Sequence, residues 1–285
     1  MRYAIPKTAA EAASLLMEEA ARVLAGGTDL LVQMKSGARS PGMIVDIKHL
    51  PGLRDISRED GGFRIGAAVS GAEMQEHADL VAAWPGVVEG VNLIGSTQIQ
   101  GRATMAGNLC NGSPAADGVP AQIAAQAVAR IVGPKGERDC PVAEIPTGPG
   151  KISLGRGEFV ASILLPARPE RSGDAYLRFI PRTEMDIAVA GAAVNLVLAA
   201  DGTVDQARVA LGAVAPTAML VEEAGAALVG TKLEQPALDA LAKACEAACK
   251  PIDDKRGTVE FRTHVAGVLA RRAARIAYVR AGGRA

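Results

Sequence analysis

Apolar positions along this chain form short runs bounded by glycine, proline and charged turns. Thr8-Ala-Ala-Glu11 has the spacing of a capping box and predicts a helix over Ala9–Ala20. Val23–Ala25 and Met43–Ile47 read as strands flanking a Gly-Gly turn, so residues 1–57 form a small α/β unit. The next unit, 58–170, is built around the strand Phe63–Ala67. Ser70-Gly-Ala-Glu73 caps the helix after it, and Trp84-Pro85 interrupts an apolar stretch running to Leu93. A helix over 119–126 and a strand over Ala127–Val132 follow. Gly133 to Lys151 reads as a Pro/Gly-rich connection, and Phe159–Leu165 as a strand stopped by Pro166. In the third unit, 171–285, Tyr176–Ile180, Ile187–Leu198 and Val204–Leu211 read as strands, the last two joined at Asp201-Gly202. Helices are expected over 216–228, 236–250 and 258–280. The pattern as a whole is α+β.

Composition narrows the function classes. Apolar residues make up 49% of the 285 positions but aromatics only 3%, so aliphatic side chains must fill the cores. Thirty-one acidic and 31 basic residues cancel, which gives no reason to expect a nucleic-acid binder. No apolar run approaches the ~18 residues of a membrane span. The N-terminus, MRYAIPKTAAEAAS, lacks an apolar secretory core, so cytoplasmic residence is expected. Cys110, Cys140, Cys245 and Cys249 contain no C-x-x-C pair. Cys245 and Cys249 share a helix face without further ligands nearby, and His49, His77 and His264 are scattered, so no metal site is expected. Seven arginines fall between Arg256 and Arg284. They read either as a solvated helix face or as a docking surface for partner subunits.

The chemistry concentrates in two glycine loops. Ile94–Asp117, IGSTQIQGRATMAGNLCNGSPAAD, has almost no long side chains, so its backbone is expected to be the working surface, with Gly101 and Gly107 free to take φ > 0. Asp117 is the expected N-cap of the following helix. Upstream, Val23-Leu-Ala-Gly-Gly-Thr-Asp29 reads as strand, turn and helix start, with Thr28 and Asp29 as caps. Such a turn aims N–H groups at an anion, and two of them suggest a diphosphate gripped from both sides. Neither is a P-loop: Gly95 and Gly101 enclose five residues and are followed by Arg102-Ala103. No G-x-G-x-x-G exists either, since Gly155-Arg-Gly157 is followed by Val160 where the third glycine belongs.

Ala25-Gly-Gly-Thr-Asp29, Thr104-Met-Ala-Gly-Asn108 and Ser113-Pro-Ala-Ala-Asp117, in this order, resemble the FAD-binding medium subunit of the molybdenum hydroxylases, the family of the carbon monoxide dehydrogenase and xanthine dehydrogenase flavoprotein subunits. The segments Arg182–Ala188, Ala210–Pro216 and Glu260–His264 resemble its C-terminal domain, so the likeness spans the chain. It implies a two-subdomain FAD-binding fold of the vanillyl-alcohol-oxidase (PCMH) type, followed by a C-terminal α+β domain with a small antiparallel sheet. By resemblance, Val23, Leu24, Ala25, Gly26, Gly27, Thr28 and Asp29 contact the FAD pyrophosphate, as do Thr104, Met105, Ala106, Gly107 and Asn108. Family members usually have Gly-Gly where this chain has Ala106-Gly107. Asp117 matches the carboxylate on the adenosine side, Ile94 the adenine-facing position, and Val160 the residue near the isoalloxazine. Arg178 stands where relatives carry Lys, exchanging a point charge for a planar guanidinium.

The resemblance further implies that this chain carries no catalytic residue for substrate. Substrate would be oxidised at a molybdopterin centre on a large partner subunit, and electrons would cross [2Fe–2S] clusters on a small partner to reach FAD here. A dimer of such heterotrimers is the implied assembly. Some relatives hold an iron–sulfur cluster on an inserted Cys-rich loop; here only Cys110 and Cys140 fall in that region, and no cluster is expected. Two other classes remain open on the residues alone: a self-contained FAD oxidase of the same fold, and a nucleotide-binding adaptor without catalysis.

Overall fold

The computed structural model describes residues 1–284. Three main sheets follow one another along the chain, and a fourth of only two short strands precedes the last-added strand of the second in sequence. The first orders Arg2–Ala4, Met43–Asp46 and Ala21–Leu24 side by side, all parallel. Its central strand is buried at every residue, which explains the unalternating sequence MIVD. The helix before it spans Ala9–Leu15 and stops short of Ala20. Glu18 and Glu19 would lie at the negative end of its dipole, and Glu18 pairs with Arg2 instead. Only half of the expected capping box forms: Thr8 accepts from the Glu11 amide, while the Glu11 carboxylate accepts from the Lys7 amide.

The second sheet is wholly antiparallel, in the order Ile56–Glu59, Gly62–Gly66, Phe159–Leu165, Val128–Gly133 and Gly136–Pro141. The last of these strands lies in the stretch expected to be a plain connection. Four of its six residues are exposed and charged or Gly, so no hydrophobic alternation announces it. It pairs with Val128–Gly133 through a two-residue turn, Pro134-Lys135, and through Arg130 with Asp139 at 3.0 Å. Two further short strands, Pro146–Gly148 and Lys151–Ile152, occupy the same stretch. Ser70 and Glu73 form the expected capping box in full at the helix Gly71–Glu76, and Pro85 sits at the first turn of the helix Pro85–Val91.

The third sheet runs Ser172–Phe179, Ala190–Leu198, Val204–Gly212 and Met219–Leu220, all antiparallel. The helix expected over 216–228 is reduced to Glu222–Ala226, because Met219 and Leu220 pair with Leu211 and Ala210. The helix Val259–Arg280 packs on the sheet, and the helix Gln235–Ala248 packs on that helix. None of the helices among the described residues is long and apolar enough to cross a membrane.

The first two sheets share one continuous apolar core, and the third has its own. Between the two, helices Pro85–Val91 and Gly118–Ala124 pack on the third sheet. A buried ion pair pins this junction: Arg168 donates to Asp174 at 2.8 Å and lies over the Trp84 ring at 4.3 Å. The other Asp174 oxygen accepts from the Val87 amide at 3.2 Å. The C-terminal arginines are also used largely within the chain. Arg262 is buried against Asp254 and the Val189 carbonyl, Arg271 donates to Asp239, Arg275 to Gln235 and Arg280 to Glu89. These contacts give those four arginines partners within the chain.

Candidate functional site: a cleft between two glycine loops

Where the first sheet meets the second, the two glycine loops close on one another around a cleft of about 540 Å³. The first loop leaves the half-buried strand Ala21–Leu24 and turns at Gly27, whose φ of +78° is the left-handed region that glycine takes freely. The helix Leu30–Lys35 follows. At Gly26 the loops nearly touch: a Cβ there would meet the Arg102 carbonyl oxygen at 2.0 Å. The second loop is less of a loop than its composition suggests. It folds into two short helices, Thr97–Gln100 and Met105–Cys110, and buries Met105, Ala106 and Leu109. Gly101 has φ −64° and Gly107 lies within the second helix, so neither takes the positive φ expected; Gly95 does, at +65°. Ala106, also helical, accommodates its methyl without strain.

Of the residues the sequence marks, the cleft brings together Val23, Ala25, Gly26, Gly27, Thr28, Asp29, Ile94, Thr104, Ala106, Gly107, Asn108 and Val160. Leu24 and Met105 instead send buried side chains into the core beside it. Asp117 and Arg178 do not line the cleft at all: they pair with each other, and Tyr176 donates to Asp117 at 2.9 Å. Neither Asp29 nor Asp117 caps its helix with its side chain, although both hold the N-cap place. At Asp117 the reason is visible, because the carboxylate is already taken. Burial pushes its carboxyl up to about 6, against the lowering effects of Arg178 and the Tyr176 hydroxyl.

Leu30, Gln33, Arg39, Asn111, Ile152 and Leu154 also line the cleft, and sequence reasoning missed them. Gln33 donates to Asn111 at 3.3 Å and so ties the helix after the first loop to the end of the helix Met105–Cys110 in the second. Ile152 and Leu154 lie just after the stretch read as a connection; their alternation with Ser153 was the available signal.

The donor set suits a phosphate-bearing ligand. Among the described residues, the amides of Gly26, Gly27, Thr28 and Asp29 make no hydrogen bond within the protein, and those of Met105 and Ala106 make none either. Thr104 secures the second set by accepting from Gly107 N at 2.9 Å. Ile94, Ile152, Leu154 and Val160 add apolar wall for ring systems.

Residues 1–168 match the family described as the FAD binding domain in molybdopterin dehydrogenase, and residues 175–277 match the CO dehydrogenase flavoprotein C-terminal domain. The chain belongs to the FAD-binding medium subunits of the molybdenum hydroxylases. This flavoprotein is 36% identical over 282 residues to the carbon monoxide dehydrogenase medium chain of Afipia carboxidovorans, covering 98% of this chain and 97% of the relative. It is 32% identical over 280 residues to the putative xanthine dehydrogenase FAD-binding subunit of Escherichia coli K12, covering 97% and 96%. The solved structure of reconstituted CO dehydrogenase from Oligotropha carboxidovorans superposes with a TM-score of 0.94 at 35% identity, over 98% of both chains.

The flavoprotein's cleft fits FAD on its own geometry: amide donors from both sides for a diphosphate, and apolar wall at its flanks. Cys110 lines it half-buried, but burial pushes its thiol up to about 12, so it is a neutral wall group. Among the described residues no group of three or more His, Cys, Asp or Glu side chains is placed to hold a metal.

Proposed function

We propose that this flavoprotein is the electron-relay subunit of a molybdenum hydroxylase. In this reading substrate is oxidised at a molybdopterin centre on a large partner subunit. Electrons cross two [2Fe–2S] clusters on a small partner, arrive at this chain and leave to a terminal acceptor. The units 1–57 and 58–170 grip the cofactor and 171–285 backs them; the working assembly is a cytoplasmic dimer of heterotrimers. Bound FAD supplies one- and two-electron chemistry. The chain's own residues bind and orient it: Gly26–Asp29 and Met105–Asn108 hold the diphosphate from opposite sides, while Ile94 and Val160 offer apolar contact.

The observation that carries the reading is the make-up of the cleft. The main-chain amides of Gly26–Asp29 and Ala106 line it without a partner in the protein, its thiol is neutral and, among the described residues, no histidine lines it. That is equipment for holding a cofactor, with no nucleophile–base pair to work on substrate.

The expected result is a sharp dependence on partners. Mixed anaerobically with aldehydes, purines or N-heteroaromatics, the purified FAD-loaded chain keeps its yellow colour; with both partner subunits of its complex present, the complex's own substrate bleaches it. Rapid bleaching of the lone chain would establish a self-contained oxidase in place of the relay.

A further inference from the structure

A second cavity lies behind the first glycine loop. It measures about 230 Å³ and shares a wall with the cofactor cleft, because Gly26 lines both. Arg102, whose carbonyl oxygen closes on Gly26, lines it too. Three further basic residues line the same space. Lys48 and His49 come just after the central strand of the first sheet, and Arg54 just before the strand Ile56–Glu59.

The charges around this space do not cancel, although those of the whole chain do. Glu73 is the one carboxylate among the lining residues, and its oxygens are taken. Arg54 donates to it at 2.6 Å, and the Ser70 amide and hydroxyl each donate at 2.8 Å. Lys48 is held at 2.6 Å by Asp46, which is buried and stands outside the wall. Arg102 and His49 are exposed, and among the described residues their side chains have no hydrogen-bond or ion-pair partner. Lys48, Arg54 and Arg102 against Glu73 leave the wall positive with His49 neutral, and it stays positive with Asp46 counted.

We propose that this cavity is a binding site for a phosphate group, separate from the diphosphate held in the cleft. A concave wall of one charge sign concentrates its field on a small anion. Guanidinium groups offer paired N–H donors in a geometry that suits phosphate oxygens, and Arg102 has its donors uncommitted. The size sets the class of ligand. At about 230 Å³ the cavity falls below the roughly 300–1,000 Å³ of sites for larger organic ligands. It therefore takes inorganic phosphate or the phosphate end of a mononucleotide, and not a second dinucleotide. The side chains that build it come from three separate segments, which only the fold brings together.

Calorimetric titration of inorganic phosphate into the full chain tests it, with FAD added first to keep phosphate out of the cleft and ionic strength held constant with chloride. The parent is expected to bind one phosphate per chain. Arg102→Gln is expected to weaken that binding about tenfold, the worth of one charged hydrogen bond. His49→Ala is expected to weaken it about threefold, as one uncharged hydrogen bond. Neither side chain has a partner within the protein to lose, so folding is not at stake. Adenosine monophosphate in place of phosphate distinguishes the two sources. Tighter binding that Arg102→Gln also weakens supports the site with a mononucleotide as its ligand, and equal or weaker binding supports it with free phosphate. No saturable binding to the parent would overturn the proposal, and so would binding that both variants leave unchanged. The proposal does not rest on what fills the cleft: a chain that takes up no FAD fails that reading alone, since Arg102 and His49 line only the second cavity.

Discussion

Gly26→Ala is expected to release FAD. A Cβ at this position falls 2.0 Å from the Arg102 carbonyl oxygen and 2.8 Å from the carbonyl carbon. Both atoms are backbone, so no side chain can rotate away to relieve the overlap; the two loops must part. Overpacking a tight site costs about 1–3 kcal/mol, and this contact belongs at the upper end. If the whole cost falls on the bound state, it amounts to about a 150-fold loss of affinity. The first loop follows a strand of the first sheet, and the second is anchored by Met105, Ala106 and Leu109 in the shared core, so the chain should remain folded while the grip opens. Titrating FAD into the purified apo-variant, with thermal unfolding as a control, measures this. Affinity close to the parent's would show that the loops' approach is irrelevant to binding.

Gly27→Val is expected to act by a different route and more mildly, at about 10- to 100-fold in FAD affinity. The residue holds φ +78°, a conformation that costs an L-residue roughly 1–2 kcal/mol and a β-branched one more. The new Cβ would not block the cleft. It would point at Leu24 Cδ1 at 2.9 Å and Leu31 Cδ1 at 3.2 Å, side-chain tips able to yield. The loss therefore comes from strain in the turn that presents the Gly26–Asp29 amides and starts the helix Leu30–Lys35. The order of the two glycine variants distinguishes backbone contact between loops from backbone conformation within one. The same titration reads it out, with Gly27→Val the milder of the pair. A larger loss for Gly27→Val than for Gly26→Ala would mean the loop's own conformation dominates.

The cleft was legible in the sequence because its chemistry is local. Gly26-Gly27 after an apolar strand, and Thr104 three residues before Gly107, are patterns in which near neighbours satisfy or expose one another's amides. Where groups far apart compete for the same atoms, the sequence misleads. Asp117 reads as a helix cap, yet its carboxylate belongs to Tyr176 and Arg178, 59 and 61 residues on. Asn108 reads as one more loop residue, although Gly118 fixes its amide. The Ile94–Asp117 stretch has the composition of a bare loop, but Met105 and Leu109 point into the core at helical spacing. The hairpin strand Gly136–Pro141 escaped notice for the opposite reason: it is an exposed edge held by cross-strand charges, with little buried apolar pattern to reveal it. In the C-terminal unit the two long helices and three main strands were legible from periodicity, and their ends were set by tertiary pairing.

Amide hydrogen exchange on the apo-chain, with and without added FAD, tests the central claim most directly. The two glycine loops are predicted to grip one diphosphate from both sides, so FAD should slow exchange together at Gly26–Asp29 and Met105–Asn108. FMN, with a single phosphate, should fail to protect both segments at once. Protection confined to one loop, or found elsewhere in the chain with both loops unchanged, would contradict the account.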